Sequence, residues 1–322
     1  MFVPSDPKFG GDQSKHIFEI PLNRKLEMIK DIRDKAHIRH EDIMELNFIR
    51  NPGAYVFRKY HKQGLRSQIM ELLDPDDVIK QNRGEIINGI LFFPRAMPLK
   101  VLRIFKNKFG SLSEIFEEIR RVKIIEKYLP SDAYAKSEEF IVNYMWNGNR
   151  DVILCGLQEY VAGETLNPWE TTGINQLANF FDGIGIGRGN GPGRTADQLV
   201  TRFRKNVEKF IKSVKKMILE ANYVPDFAGL ENLIVTPGGD IKLVDINNVS
   251  KVSFGPDISL DDKGYPVCDK SIEAISILEQ KLLGTPIDKT ETLYKIFLDP
   301  LRMKDVSVLE EKFHRSLKST NA

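Results

Sequence analysis

The sequence predicts an α+β protein of two lobes: a small lobe on an antiparallel sheet, and a mainly helical large lobe, with an N-terminal helical extension ahead of both. Three observations carry this. Extended runs and turn signals cluster in residues 74–162, amphipathic helical stretches dominate after them, and a chain of 322 residues with 41% hydrophobic content can bury a large core and divide. The expected boundaries are 1–73 for the arm and helical extension, 74–162 for the small lobe and 163–322 for the large lobe.

Charge and composition narrow the function classes. Lys+Arg 47 against Asp+Glu 45 leaves a net charge of +2, too balanced for nucleic-acid or membrane-surface binding to follow from bulk electrostatics. The N-terminus lacks a basic start followed by an apolar core, and no apolar run approaches the roughly 20 residues of a spanning helix, so a soluble, unexported chain is expected. Cys155 and Cys268 lie far apart in separate candidate elements, which suits a reducing, cytoplasmic setting better than a disulfide framework.

Residues 1–20, rich in Pro, Gly and charge, read as an arm or loose tail. From Asn23 to Leu73 helical spacing dominates, with Leu26, Ile29, Ile32 and Ala36 in one stripe and Ile43, Leu46 and Ile49 in the next. His37 and His40 can share a helix face there, but no Cys or third His joins them, so exposed histidines are expected rather than a metal site. After Asp74-Pro75-Asp76-Asp77 the pattern turns extended over 77–81, 86–93 and 100–105, three strands of one antiparallel sheet. Ser111 or Ser113 caps a helix with Leu112, Ile115, Ile119, Val122 and Leu129 on one face. Segments 140–144 and 151–161 flank the turn Asn147-Gly148-Asn149 as a hairpin.

Glycine is so dense in 182–194 that no regular element is expected; the segment matches neither a P-loop nor a dinucleotide fingerprint and reads as a lid or a linker. The helix Ala196–Ala221 carries an apolar stripe of Phe203, Val207, Phe210, Ile211, Val214, Met217 and Ile218 opposite a cationic face. Further helices are expected over 270–283, stopped by Gly284, and over 289–297 and 306–317.

Chemistry concentrates in Val224–Asn248. Leu233-Ile234-Val235 and Ile241–Val244 form a short hairpin across a turn in which Gly238-Gly239 permits positive backbone angles. Asp226 and Asn232 precede the hairpin and Asp245 follows it, so three metal- or proton-handling side chains converge at one end of two paired strands. A phosphoryl transfer needs a carboxylate to orient the attacking hydroxyl, and an Asn with a second Asp to hold magnesium. A surface hairpin with polar flanks fits these residues equally well taken alone.

This stretch resembles the protein-kinase-like superfamily, particularly its aminoglycoside phosphotransferase and choline kinase branch, whose loop reads His-Gly-Asp-x-x-x-x-Asn and whose second strand ends in Ile-Asp-Phe/Trp. Here Val224-Pro225 stands in place of His-Gly, Asp226 lies six residues before Asn232 where the family has five, and Asp245 is followed by Ile246-Asn247-Asn248 without the glycine of Asp-Phe-Gly. Gly229 is expected to absorb the extra residue through positive backbone angles. The resemblance covers about residues 74–285, through the order of elements more than through strict motifs.

The resemblance implies roles. Asp226 is the acceptor-orienting base, Asn232 and Asp245 hold magnesium, and Arg103, in Val101-Leu102-Arg103-Ile104 where Arg replaces Lys, reaches the phosphates with Lys106 behind it. Glu118 on the following helix orients Arg103. Glu159 and Val161, entering the stretch Tyr160–Leu166, offer backbone groups to adenine. The implied activity is ATP- and Mg2+-dependent phosphotransfer to a hydroxyl of a small molecule or protein. A catalytically inactive kinase-like nucleotide-binding or regulatory module, and a helical protein-interaction protein, are the alternatives.

Overall fold

The computed structural model describes residues 30–60, 66–170, 181 and 195–320. A short helix α1, His40–Met44, leads into the strands β1, Val56–Lys59, and β2, Ser67–Leu73. Helix α2, Pro75–Arg83, and a two-stranded ribbon of β3, Glu85–Ile87, and β4, Ile90–Phe92, come next. Then follow β5, Lys100–Phe105, α3, Leu112–Tyr128, β6, Ser137–Trp146, and β7, Asn149–Glu159. The main sheet runs β1-β2-β5-β7-β6, antiparallel at every joint. Asn147 (φ 47°) and Gly148 (φ 77°) close β6 onto β7 in two left-handed residues, the turn whose twist matches that of the strands.

Three expectations for this half need correction. The extended run over 86–93 is not a strand of the main sheet, because Asn88 and Gly89 fold it into the separate ribbon of β3 and β4. The helical extension through Leu73 is not formed over 56–59 and 67–73, which are strands of the sheet, so the boundary at 73/74 falls at the end of a sheet strand. The reason lies in β2, which is covered on both faces and buries Gln68 and Glu71 among its apolar residues, so no two-residue alternation appears. Gln68 Nε2 donates to Lys35 O at 2.7 Å and Glu71 accepts from Arg58 Nε, which satisfies the buried polar groups. The strand expected over 77–81 is helix α2, started by Pro75 at its first turn and by Asp74, whose carboxylate accepts the Asp76 N–H at 2.8 Å.

The second half begins with β8, Glu164–Thr165, and with α4, Ala196–Ala221, capped reciprocally by Thr195 and Gln198. Short strands β9, Tyr223–Pro225, β10, Leu233–Val235, β11, Ile241–Leu243, and β12, Val249–Lys251, follow. Helix α5, Val267–Leu278, continues as a π turn to Gly284 and is followed by α6, Thr292–Phe297, and α7, Pro300–Thr320. The glycine-rich segment 182–194 lies outside the described residues.

The α4 stripe is buried as its spacing predicts, and with Phe227, Ile272, Leu278 and Phe297 it makes the largest core. The sheet packs one face, through Phe57 and Leu102, on Ile32, Ile38 and Ile43 and the other, through Phe105 and Leu154, under Ile115 of α3. Backbone bonds tie the halves together: Ala135 N donates to Leu243 O at 2.8 Å and Leu243 N to Ala133 O at 2.9 Å. At Gly163 the chain leaving β7 crosses β10 so closely that a Cβ would sit 2.2 Å from Val235 O, which excludes any side chain there. Among the described residues no helix is long and apolar enough to cross a membrane.

Candidate functional site

The site grows from a loop anchored at both ends. Asn222, in the left-handed conformation (φ 58°), stops α4 and turns the chain into β9, which pairs with β12 so that Asp226 N donates to Asn248 O at 2.8 Å. One residue on, Phe227 is fully buried, edge-to-face with Phe210 at 5.7 Å, and its N–H donates to Ser271 Oγ at 3.0 Å. The carboxylate of Asp226 therefore stays outside the core while its neighbour is fixed within it.

Asp226 closes a local turn. Its Oδ1 accepts from Ala228 N at 2.9 Å and Gly229 N at 3.1 Å, and its Oδ2 accepts from Asn248 Nδ2 at 2.7 Å. Asn232 Nδ2 donates to Asp226 O at 2.8 Å, and Trp169 Nε1 donates to Ala228 O at 3.1 Å. The six-residue spacing is thus absorbed by this side-chain turn. The expectation that Gly229 supplies a positive φ is not met, since Gly229 is absent from the positive-φ positions. Glycine is required there for space, because a Cβ would lie 2.5 Å from Asn232 Nδ2. In the hairpin turn only Gly239 (φ 78°) takes the left-handed conformation.

Burial pushes the Asp226 carboxyl up to about 6, and the negative charge of Asp245 adds to that rise; the Gly229, Ala228 and Asn248 donors oppose it. Such a group is ionised at neutral pH yet close enough to its titration to exchange a proton with a bound hydroxyl.

Arg103 on β5 links the sheet to the end of the hairpin. Its Nη1 donates to Asp245 Oδ1 at 3.2 Å and to Asn247 Oδ1 at 2.8 Å, and its Nη2 donates to Val244 O at 3.1 Å. Gln158 on β7 donates to the same carbonyl at 2.8 Å. Arg103 Nε and Gln158 Oε1 are buried with no hydrogen-bond partner among the described residues. Asp245 and Asn232 offer hard oxygen donors of the kind magnesium takes, one or two from protein and the remainder from phosphate and water. Among the described residues no group of three or more His, Cys, Asp or Glu is placed to hold a metal, so a closed protein cage is absent there.

The structure brings Asp226, Asn232, Asp245 and Arg103 together, but Glu118 and Glu159 stand differently from expectation. Glu118 pairs with Arg121 on its own helix at 3.1 Å, one turn away, while Arg103 is engaged by Asp245 and Asn247. Glu159 is not an open hinge residue: its N–H donates to Lys136 O at 2.7 Å and its carboxylate pairs with Lys242 at 2.7 Å. β6 begins at Ser137, three residues before the hairpin pattern indicates, and the residue ahead of it claims the Glu159 N–H. Val161 is buried just beyond, where the chain runs from the main sheet to β8. Asn247, Asn248, Gln158 and Trp169 were not singled out from the sequence.

Together these features define a mixed α/β protein in which a cluster of polar side chains joins the antiparallel sheet to a short hairpin. Searches against known protein families and against curated proteins returned no match to this chain.

Proposed function

We propose that the protein is a kinase-like phosphotransferase, with the sheet half as its small lobe and the helical half as its large lobe, moving the terminal phosphoryl group of ATP to a hydroxyl of a small-molecule or protein acceptor. The observation that carries this reading is the Arg103 bridge from β5 to Asp245, beside an Asp226–Asn232 loop whose carboxyl is raised to about 6. Asn232 and Asp245 hold magnesium, and Arg103 takes the phosphates through the donors it now gives to Asp245 and Asn247. Magnesium-bound ATP supplies the phosphoryl group with part of its charge already neutralised. Asp226 orients the acceptor hydroxyl and receives its proton as the oxygen–phosphorus bond forms and ADP departs. The backbone at Val161 offers the adenine contacts.

A second reading, nucleotide binding without turnover, is favoured by one contact: Glu118 rests on Arg121 and not on Arg103. Thermal denaturation with millimolar ATP, with and without magnesium, followed by an ADP-release assay, separates the readings. A ligand at 100 times its Kd stabilises by about 2.7 kcal/mol, a rise of several degrees. A rise that needs magnesium, with ADP released only when an acceptor is added, supports phosphotransfer. A rise with no turnover on any acceptor supports the second reading, and no rise at all overturns both.

A further inference from the structure

The β3–β4 ribbon pairs with no other strand of the described fold. Its side chains are nearly all large and apolar, and they stand in solvent: Ile86 is 75% exposed and Ile90 70%, with Ile87, Leu91, Phe92 and Phe93 also exposed. Ile86 lies opposite Leu91 and Ile87 opposite Ile90, so one apolar pair falls on each side of the ribbon. A strand apolar on both sides is ordinarily covered on both. Ile79, Met97 and Leu99 extend the apolar surface at its base.

The collar of this surface is cationic. Lys80, Arg83, Arg95 and Lys100 are exposed around it, against Glu85 alone within 79–100. Arg83, Arg95 and Lys100 form no ion pair among the described residues, and Lys80 only a 3.5 Å contact with Asp77. Charge that nearly cancels over the whole chain is thus locally one-signed beside the largest exposed apolar element.

We propose that the ribbon and its collar dock the protein on an anionic phospholipid bilayer, with the apolar side chains entering the acyl–headgroup boundary and the four cations meeting lipid phosphates. The two-sided apolar character selects this partner, because a folded protein laid on the ribbon covers one side, whereas a bilayer surrounds whatever enters it. Length agrees as well: three-residue strands rising about 3.4 Å per residue reach about 10 Å, the depth of an interfacial insertion. The turn at the tip is confined to Asn88-Gly89, whose left-handed angles (φ 51° and 78°) close it in two residues. This surface is independent of the phosphotransferase reading.

Co-sedimentation of the full chain with vesicles of phosphatidylcholine, or of phosphatidylcholine with about one-third phosphatidylserine, tests the proposal. The expected result is binding to the anionic vesicles that weakens with salt, falls at least tenfold in I90D/L91D, and falls several-fold in R83E/R95E. These positions are exposed, and circular dichroism with melting of each variant verifies its fold. Failure to sediment, equal binding to both vesicle types, or unchanged binding by the folded variants overturns it. Light scattering that shows a wild-type dimer abolished by I90D/L91D, without vesicle binding, assigns the ribbon to a second copy of the chain and overturns it too.

Discussion

Asp226 sits where burial and Asp245 both resist its ionisation. Its folded-state pKa of about 6 exceeds the 3.8 of the unfolded chain, so its contribution to stability is fully present below pH 3.8 and is lost as pH rises through 6. That loss is on the order of 2 kcal/mol for a partly buried group. Asp226→Asn should therefore melt higher than wild type at pH 7 and equal to it near pH 4, while lowering turnover by orders of magnitude with ATP affinity little changed. Urea titrations at the two pH values check the first half; parallel pH profiles for both proteins would refute it. Asp245→Asn and Asp240→Asn should behave oppositely to each other. Asp240 is not a bare turn residue, since it accepts from Arg202 at 2.8 Å and Asn206 at 2.9 Å, so its change should cost about 1 kcal/mol of stability and leave nucleotide binding intact. Asp245→Asn should instead abolish the magnesium-dependent melting shift, and an equal effect of the two on that shift counts against the metal assignment. At this scale the gathering of Asp226, Asn232 and Asp245 was legible because the hairpin between the last two returns the chain to the end it left. Trp169 and Asn248 were not, because each acts through individual bonds to a loop that no composition or period records.

Among the elements, those with strong local signals came out as read: α3 behind Ser111, α4 with its stripe, and the β6–β7 hairpin with its Asn-Gly turn. The errors had two causes, a local cap that was overlooked and tertiary burial that hides a pattern. In α2 the adjacent Val78 and Ile79 suggest a strand, yet the Asp74 cap and Pro75 decide for a helix. In β2 the buried Gln68 and Glu71 hide the strand. The 226–232 loop offers the sharpest test of an element, because Gly229→Ala forces a methyl against Asn232 Nδ2. It should cost about 1–3 kcal/mol as an overpacked position and displace Asn232. Melting temperature and magnesium-dependent nucleotide affinity should fall together; an unchanged affinity with lowered stability would mean that Asn232 takes no part in binding.

For the whole molecule, the halves share more than a linker. Residues 133–135 exchange backbone bonds with Leu243, Gln158 donates to Val244 O, and Lys242 meets Glu159 across the same seam. Calorimetry should therefore give one unfolding transition, and two separable transitions would show that these bonds do not couple the halves. Phe227→Ala should lower that single transition by about 3–5 kcal/mol, since the ring is fully buried in the largest core and also fixes the loop carrying Asp226. The broad α+β division was visible in the sequence because strand and helix periods segregate along the chain. The true start of the sheet was not, because β1 and β2 declare themselves only through partners distant in sequence.

Arg103 makes the approach of an anion a substitution reaction. Its guanidinium already holds a carboxylate, an amide oxygen and a peptide carbonyl, so an anion that took those donors would displace them. Chloride would bring one diffuse charge and leave Asp245 stranded. A polyanion that carries its own divalent counter-ion would relieve both members of the pair at once, taking the arginine while handing the aspartate a cation. On the proposed function the resting pair would act as a threshold of valence, passing over the commonest small anions of a buffer and yielding to the doubly armed ones.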